Sequence, residues 1–179
     1  RYLPDRRDLN RFFPGRPFGS SASRIAHGIF DRVIRHCDAL VDLHTGSFNR
    51  SNLHQLRADL SDEATAELSA AFGAEVVVNS AAQEGTLRRA ATDYGIPAIT
   101  VEAGESARFN AADVEEALRG ILRLMRAMGM LEDKSPAQEL VPTAYLRTRW
   151  VRADQGGILV SRVDLGDKVV EGQTLGTIS

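Results

Sequence analysis

Between Ser20 and Leu131 the chain alternates two kinds of segment, and this alternation limits the fold more than any other feature of the sequence. Ala39–His44, Glu75–Val78 and Gly95–Glu102 are short, mostly apolar runs with the length and β-branched content of buried strands. Longer segments lie between them, with apolar residues recurring every three or four positions. The first opens on Ser20–Ser23, which offer N-caps, and carries Ala22, Ile25, Ala26, Ile29, Val33 and Ile34 on one face as far as Cys37. Helices are also expected at Ser61–Phe72 (capped by Ser61), Gly85–Tyr94 and Ala111–Met128. In the last, Val114, Ala117, Leu118, Ile121, Leu122, Met125 and Met128 line one side, and the methionines read as core packing. Short buried strands alternating with helices predict an α/β sheet with helices on its faces.

The pattern stops after Leu131. Glu132-Asp133-Lys134-Ser135-Pro136 is a polar linker, and Tyr145–Ser179 alternates short β-type runs with Gly-Asp and Gly-Gln turns. Two domains are expected, 1–135 and a β-rich 136–179. The second, at about 40 residues, is small for a core of its own. Apolar residues make up 43% of the 179 and charged residues 26%, enough for a real core. With a net charge of −2 and both signs interspersed, nothing electrostatic argues for nucleic acid or an anionic membrane as partner. Cys37 is the one cysteine; it excludes an internal disulfide and reads as a buried thiol. No apolar run reaches membrane-spanning length and no signal peptide is visible, so a cytoplasmic location is expected. The oligomeric state is not readable, and a homo-oligomer fits the composition as well as a monomer.

Three segments carry the residue types of a reactive site. In open α/β sheets ligands gather where strands end and loops diverge, and His44 and Glu102 both close apolar runs. His44 offers a neutral imidazole to a metal, with Asp42 two residues earlier on the same side of a strand to orient the ring. A structural histidine at a strand terminus is the competing reading. Glu102 suits a general base, against an exposed glutamate at a loop start. In Asp8-Leu9-Asn10-Arg11-Phe12-Phe13-Pro14-Gly15, Asn10 and Arg11 set an amide beside a planar guanidinium, suited to a substrate carboxylate and carbonyl. A structural salt bridge is the alternative there.

Taken in order, Asp8-Leu9-Asn10-Arg11 with Phe13-Pro14-Gly15, Asp42-Leu43-His44-Thr45-Gly46 and Val101-Glu102-Ala103-Gly104 resemble the succinylglutamate desuccinylase/aspartoacylase family, relatives of the zinc carboxypeptidases. The resemblance implies a zinc-carboxypeptidase-like mixed sheet flanked by helices. It makes His44 the last zinc ligand and Glu102 the group that activates water and protonates the leaving amine. It makes Asn10 and Arg11 the substrate-binding pair. Arg1 resembles the arginine that polarises the scissile carbonyl, although its spacing to Asn10 is longer than in aspartoacylases. Arg88 supplies a further substrate-carboxylate contact by the same comparison, with Arg89 a rival and a plain helix-surface charge the alternative for either. The tail resembles half of a barrel-sandwich hybrid of the biotinyl/lipoyl type, with Lys168 in a structural turn rather than on a carrier hairpin tip.

The implied activity is zinc-dependent amidohydrolysis, removing an acyl group from an N-acyl amino acid or similar small acylated amine. Carboxypeptidase-type peptide cleavage and a non-catalytic binding fragment are the alternatives. One departure bears on the choice. The family takes its first two zinc ligands from an upstream His-x-x-Glu, and none of His27, His36, His44 or His54 is followed by Glu at that spacing. The chain is therefore expected to be truncated at its N-terminus and inactive alone.

Overall fold

Among the described residues the main sheet has five strands: β1 (Leu40–His44), β2 (Ser51–Ala58), β3 (Val76–Asn79), β4 (Ala98–Glu105) and β5 (Thr143–Tyr145), in the order β1-β4-β2-β3-β5. The computed structural model describes residues 3–132 and 142–179. β1 is parallel to β4, β2 is antiparallel to β4, β3 is parallel to β2, and β5 is parallel to β3. The sheet is thus mixed. Helices α1 (Ser21–Arg32), α2 (Glu63–Phe72), α3 (Leu87–Asp93) and α4 (Ala111–Ala127) flank it, which gives the expected α/β class.

Side chains alternate between the faces of a strand, and here that alternation separates two cores. Leu40 and Ala98 pack on one face with Phe13, Ala26, Phe30 and Ala91, from α1, α3 and the loop before α1. Leu56, Val77, Ile99 and Val101 pack on the other with Leu68, Phe72 and Leu124 of α2 and α4. Local signals agree with the packing. Ser20 caps α1 by accepting from Ser23 N at 3.2 Å, and Thr86 caps α3 by accepting from Arg89 N. α2 begins two residues later than expected because Asp62, not Ser61, is its cap, accepting from Thr65 N at 2.8 Å.

Several expectations are corrected. α1 ends at Arg32, and a separate 3-10 turn covers Ile34–His36, so Cys37 lies beyond the helix and is half-buried, with its thiol 3.4 Å from Val33 O. β4 does not stop before Ala103-Gly104 but runs through it to Glu105. α4 buries Gly120 and Leu124, whereas Val114, Leu118 and Met128 are exposed, so Met128 is not core. The polar segment around His54, to which the sequence pattern assigns no strand or helix, is regular structure. It is β2, at the centre of the sheet.

The chain divides into two units, Arg1–Leu146 and Arg147–Ser179. The boundary expected at 135/136 falls in 133–141, outside the described residues. β5, within the segment assigned to the tail, pairs with β3 of the main sheet. In the second unit β6 (Leu159–Ser161) and β7 (Gly176–Ile178) form an antiparallel pair, with Leu159 opposite Ile178. Among the described residues no sheet closes into a barrel, and no helix is long and apolar enough to cross a membrane.

Candidate active site

The face of the sheet that carries Leu40 and Ala98 becomes polar further along the same strands. Leu40, Asp42 and His44 alternate onto it from β1, and Ala98, Thr100 and Glu102 from β4. The two strands are in parallel register, so Asp42 pairs with Thr100 and His44 with Glu102. An imidazole and a carboxylate 58 positions apart are thereby held on one rung of two adjacent strands. His44 Nε2 lies 2.9 Å from Asp42 Oδ2. With Nε2 donating to that carboxylate, Nδ1 carries the ring's lone pair.

β2 supplies the other side of the cluster. Gln55 pairs with Glu102 and Arg57 with Thr100, which brings Gln55 and Arg57 onto the same face. Asn52 Nδ2 donates to Glu102 Oε2 at 2.7 Å, and Arg57 Nε lies 3.7 Å from Glu102 Oε1. Asn52 and Arg57 were not foreseen from the sequence. The signal was present in the alternation of His54, Leu56 and Ala58 with Gln55 and Arg57, but three of those five residues are polar, and the segment reads as a loop when apolar runs are the guide.

Arg88, in the first turn of α3, is buried. Nη1 donates to Ser80 O at 3.0 Å and Nη2 to Ser80 Oγ at 3.3 Å, so the guanidinium ties α3 to the end of β3. Burial holds its pKa below the ordinary arginine value, the charge of Arg57 adds to the effect, and Asp59 and Asp42 oppose it. Its rival Arg89 is exposed and paired with Asp93 at 2.8 Å. Asn10 and Arg11 form one 3-10 turn, Leu9–Arg11, capped by Asp8, whose Oδ1 accepts from Asn10 N. Asn10 Oδ1 accepts from Leu87 N at 2.7 Å, fastening the turn to the start of α3 beside Arg88. The fit is close enough to require glycine at 85. Its φ is +79°, and a Cβ there would lie 2.7 Å from Arg11 O. Arg11 is exposed and borders a cleft of about 620 Å³ with Arg16, Glu84 and Gly85. Arg1 lies outside the described residues. On the opposite face of the sheet, His44 also borders an apolar cavity of about 210 Å³ lined by Leu43, Val101, Phe109 and Val114.

A catalytic zinc takes three protein ligands as a rule. Among the described residues no group of three or more His, Cys, Asp or Glu is placed to hold a metal ion. His44 supplies one imidazole, so these residues do not by themselves fit a resident zinc.

The profile of the succinylglutamate desuccinylase/aspartoacylase catalytic domain matches residues 1–128. The chain belongs to this family. It is similar to the N-alpha-acetyl-L-2,4-diaminobutyric acid deacetylase of Halomonas elongata, at 25% identity over 182 aligned positions, covering 96% of this chain and 53% of that protein. Among solved structures, a succinylglutamate desuccinylase/aspartoacylase from Rhodobacter sphaeroides superposes with a TM-score of 0.85 at 27% identity, over 99% of this chain and 57% of the other. The product-bound ectoine utilization protein EutE (DoeB) of Ruegeria pomeroyi gives 0.86 at 26% identity, with the same shares. The chain therefore spans little more than half the length of these relatives.

Proposed function

We propose that this chain carries the proton-transfer and substrate-binding side of an amidohydrolase site, and that at the relatives' full length the protein removes an acyl group from an N-acyl amino acid. The observation behind this reading is the rung His44–Glu102, with Asp42 behind the imidazole, in a chain of this family. The name of the Halomonas relative points to N-acetylated diamino acids as one substrate class. Zinc as cofactor of the whole protein would require further ligands from beyond the described residues, with His44 as one of the set. The chain on its own is better read as a binding fragment, since its described residues include no group of three or more ligands placed for a metal.

The chemistry assigned to these residues is simple. Glu102 takes a proton from water as the water oxygen bonds to the acyl carbon. It returns that proton to the amine nitrogen as the carbon–nitrogen bond breaks. Arg88, fixed between α3 and β3, contributes positive charge for the substrate carboxylate, and Asn10 and Arg11 present an amide and a guanidinium at the start of α3. Arg1 is assigned to the scissile carbonyl by resemblance.

The test uses N-acetyl and N-succinyl amino acids with the full-length protein. Hydrolysis should occur, and Glu102→Gln should reduce kcat by about 10²- to 10⁴-fold, the usual contribution of a general base. The 179-residue chain should show neither turnover nor stoichiometric zinc. Retained activity in Glu102→Gln would overturn the assignment. Faster cleavage of peptides than of acyl amino acids would move the reading to a carboxypeptidase.

A further inference from the structure

We propose that Asn52 and Arg57 of β2 are positioning residues that hold the Glu102 carboxylate from two sides, and that an irregularity in β2 exists to make this possible. The inference rests on Glu102 being the proton-transferring group proposed above. Its starting point is the register of β2 against β4. From Gln55 to Arg57 the antiparallel pairing is regular, with Gln55 opposite Glu102, Leu56 opposite Val101 and Arg57 opposite Thr100. Continued backwards, that register would set residue 52 opposite Glu105. Instead Asn52 lies opposite Gly104 and Ser51 opposite Glu105, so β2 carries one extra residue between Asn52 and Gln55.

Because side chains alternate, the extra residue reverses which face each residue before it serves. Without it, position 52 would share the face of Val101 and Glu105, which packs against α2 and α4. With it, Asn52 joins Glu102. The hydrogen bonds follow the shifted register on both faces. Asn52 Nδ2 donates to Glu102 Oε2 at 2.7 Å, and Ser51 Oγ donates to Glu105 Oε2 at 3.2 Å. A bulge in a central strand interrupts the ladder, and here it aims an amide at a carboxylate.

Arg57 holds the second oxygen. Its Nε is 3.7 Å from Glu102 Oε1, an ion-pair distance too long for a hydrogen bond. That Nε is buried and has no hydrogen-bond partner among the described residues. A buried, unsatisfied donor costs stability and calls for a functional explanation. Beside Glu102 there is one: with Oε2 occupied by Asn52, Oε1 is the oxygen left to exchange a proton, and Arg57 orients it without a tight bond. The carboxylate plane is then set by two residues of one strand.

The experiment compares Asn52→Ala, Arg57→Ala, Arg57→Lys and Glu102→Gln in the full-length holoenzyme, with crystal structures of the first two. We expect kcat to fall about 10- to 100-fold in both alanine variants, the range for a reacting group misplaced by about an ångström. KM should stay within about twofold, as for a loss confined to the transition state. Arg57→Lys should recover part of the loss, and Glu102 should leave its position in Asn52→Ala. Wild-type kcat in both alanine variants beside an inactive Glu102→Gln would overturn the positioning role and leave the function standing. An unmoved Glu102 in the Asn52→Ala crystal would do the same. An active Glu102→Gln would overturn both.

Discussion

His54 stands two residues beyond Asn52 on β2, yet it serves the other face, with Leu56 and Ala58 toward α4. Its Nε2 is buried and without a hydrogen-bond partner among the described residues. Burial holds its pKa below 6.5; Glu116 and Asp113 oppose that shift, and Arg123 and Arg119 reinforce it. The folded chain thus favours the neutral ring, and as pH falls below 6.5 the unfolded chain takes up the proton first. The stability this histidine contributes is complete above 6.5 and is lost as pH falls through the lowered folded value. His54→Gln should therefore flatten the drop in urea-unfolding free energy between about pH 7.5 and about pH 5; an unchanged slope would exclude His54 as its source. At this scale the sequence was partly legible. His44 and Glu102 were readable as neighbours because each follows an apolar run that can only be a strand. Asn52 was not, because its face in β2 depends on a bulge that leaves no trace in composition, and Arg57 was not, because the polar residues around it hide the strand that carries it.

Among the elements, α2 and α4 meet at one glycine. A Cβ on Gly120 would lie 2.2 Å from Phe72 Cε1, and Phe72 is wholly buried. Arg123 closes the same contact from α4, donating to Phe72 O at 2.9 Å and Gly73 O at 2.8 Å at the end of α2. Gly120→Ala should gain about 1 kcal/mol of helix propensity but lose about 1–3 kcal/mol to overpacking. The expected net loss of up to about 2 kcal/mol would appear in denaturant unfolding, and Phe72→Leu in the same background should recover part of it. A stabilised Gly120→Ala would show that the two helices can separate without cost. This contact also explains why the apolar face of α4 was misjudged. Helical spacing gathers Val114, Leu118 and Met128 into one stripe, but the glycine draws the helix axis onto Phe72 and turns that stripe outward. β2 was missed for a related reason. Asn52, Gln55 and Arg57 face the proposed site and His54 lies on the other face, so polar residues break up the apolar pattern by which a central strand is recognised.

Across the whole molecule the two units differ in what they bury. The main unit has a core on each face of its sheet. In Arg147–Ser179, two three-residue strands are the regular structure described, and Trp150, Val151, Ile158 and Val170 are exposed. Chains below about 40 residues seldom fold without disulfides, metals or partners. A peptide of residues 147–179 should therefore show no cooperative thermal transition by circular dichroism, whereas residues 1–146 should retain one; a sharp transition in the peptide would contradict this. The fold class was legible because alternating periodicities survive at low similarity, while the strand order, which sets β2 between β4 and β3, depends on contacts distant in sequence. The unbroken register from Leu40–Ala98 to His44–Glu102 has a further consequence. One residue inserted within either strand would turn imidazole or carboxylate to the opposite side of the sheet, whereas one inserted in the turn at 47–50 would displace neither. As related genes diverge, lengths should drift between β1 and β2 and stay fixed inside β1 and β4. The pairing of these two residues across the sheet would then outlast both their separation in sequence and the identity of most residues around them.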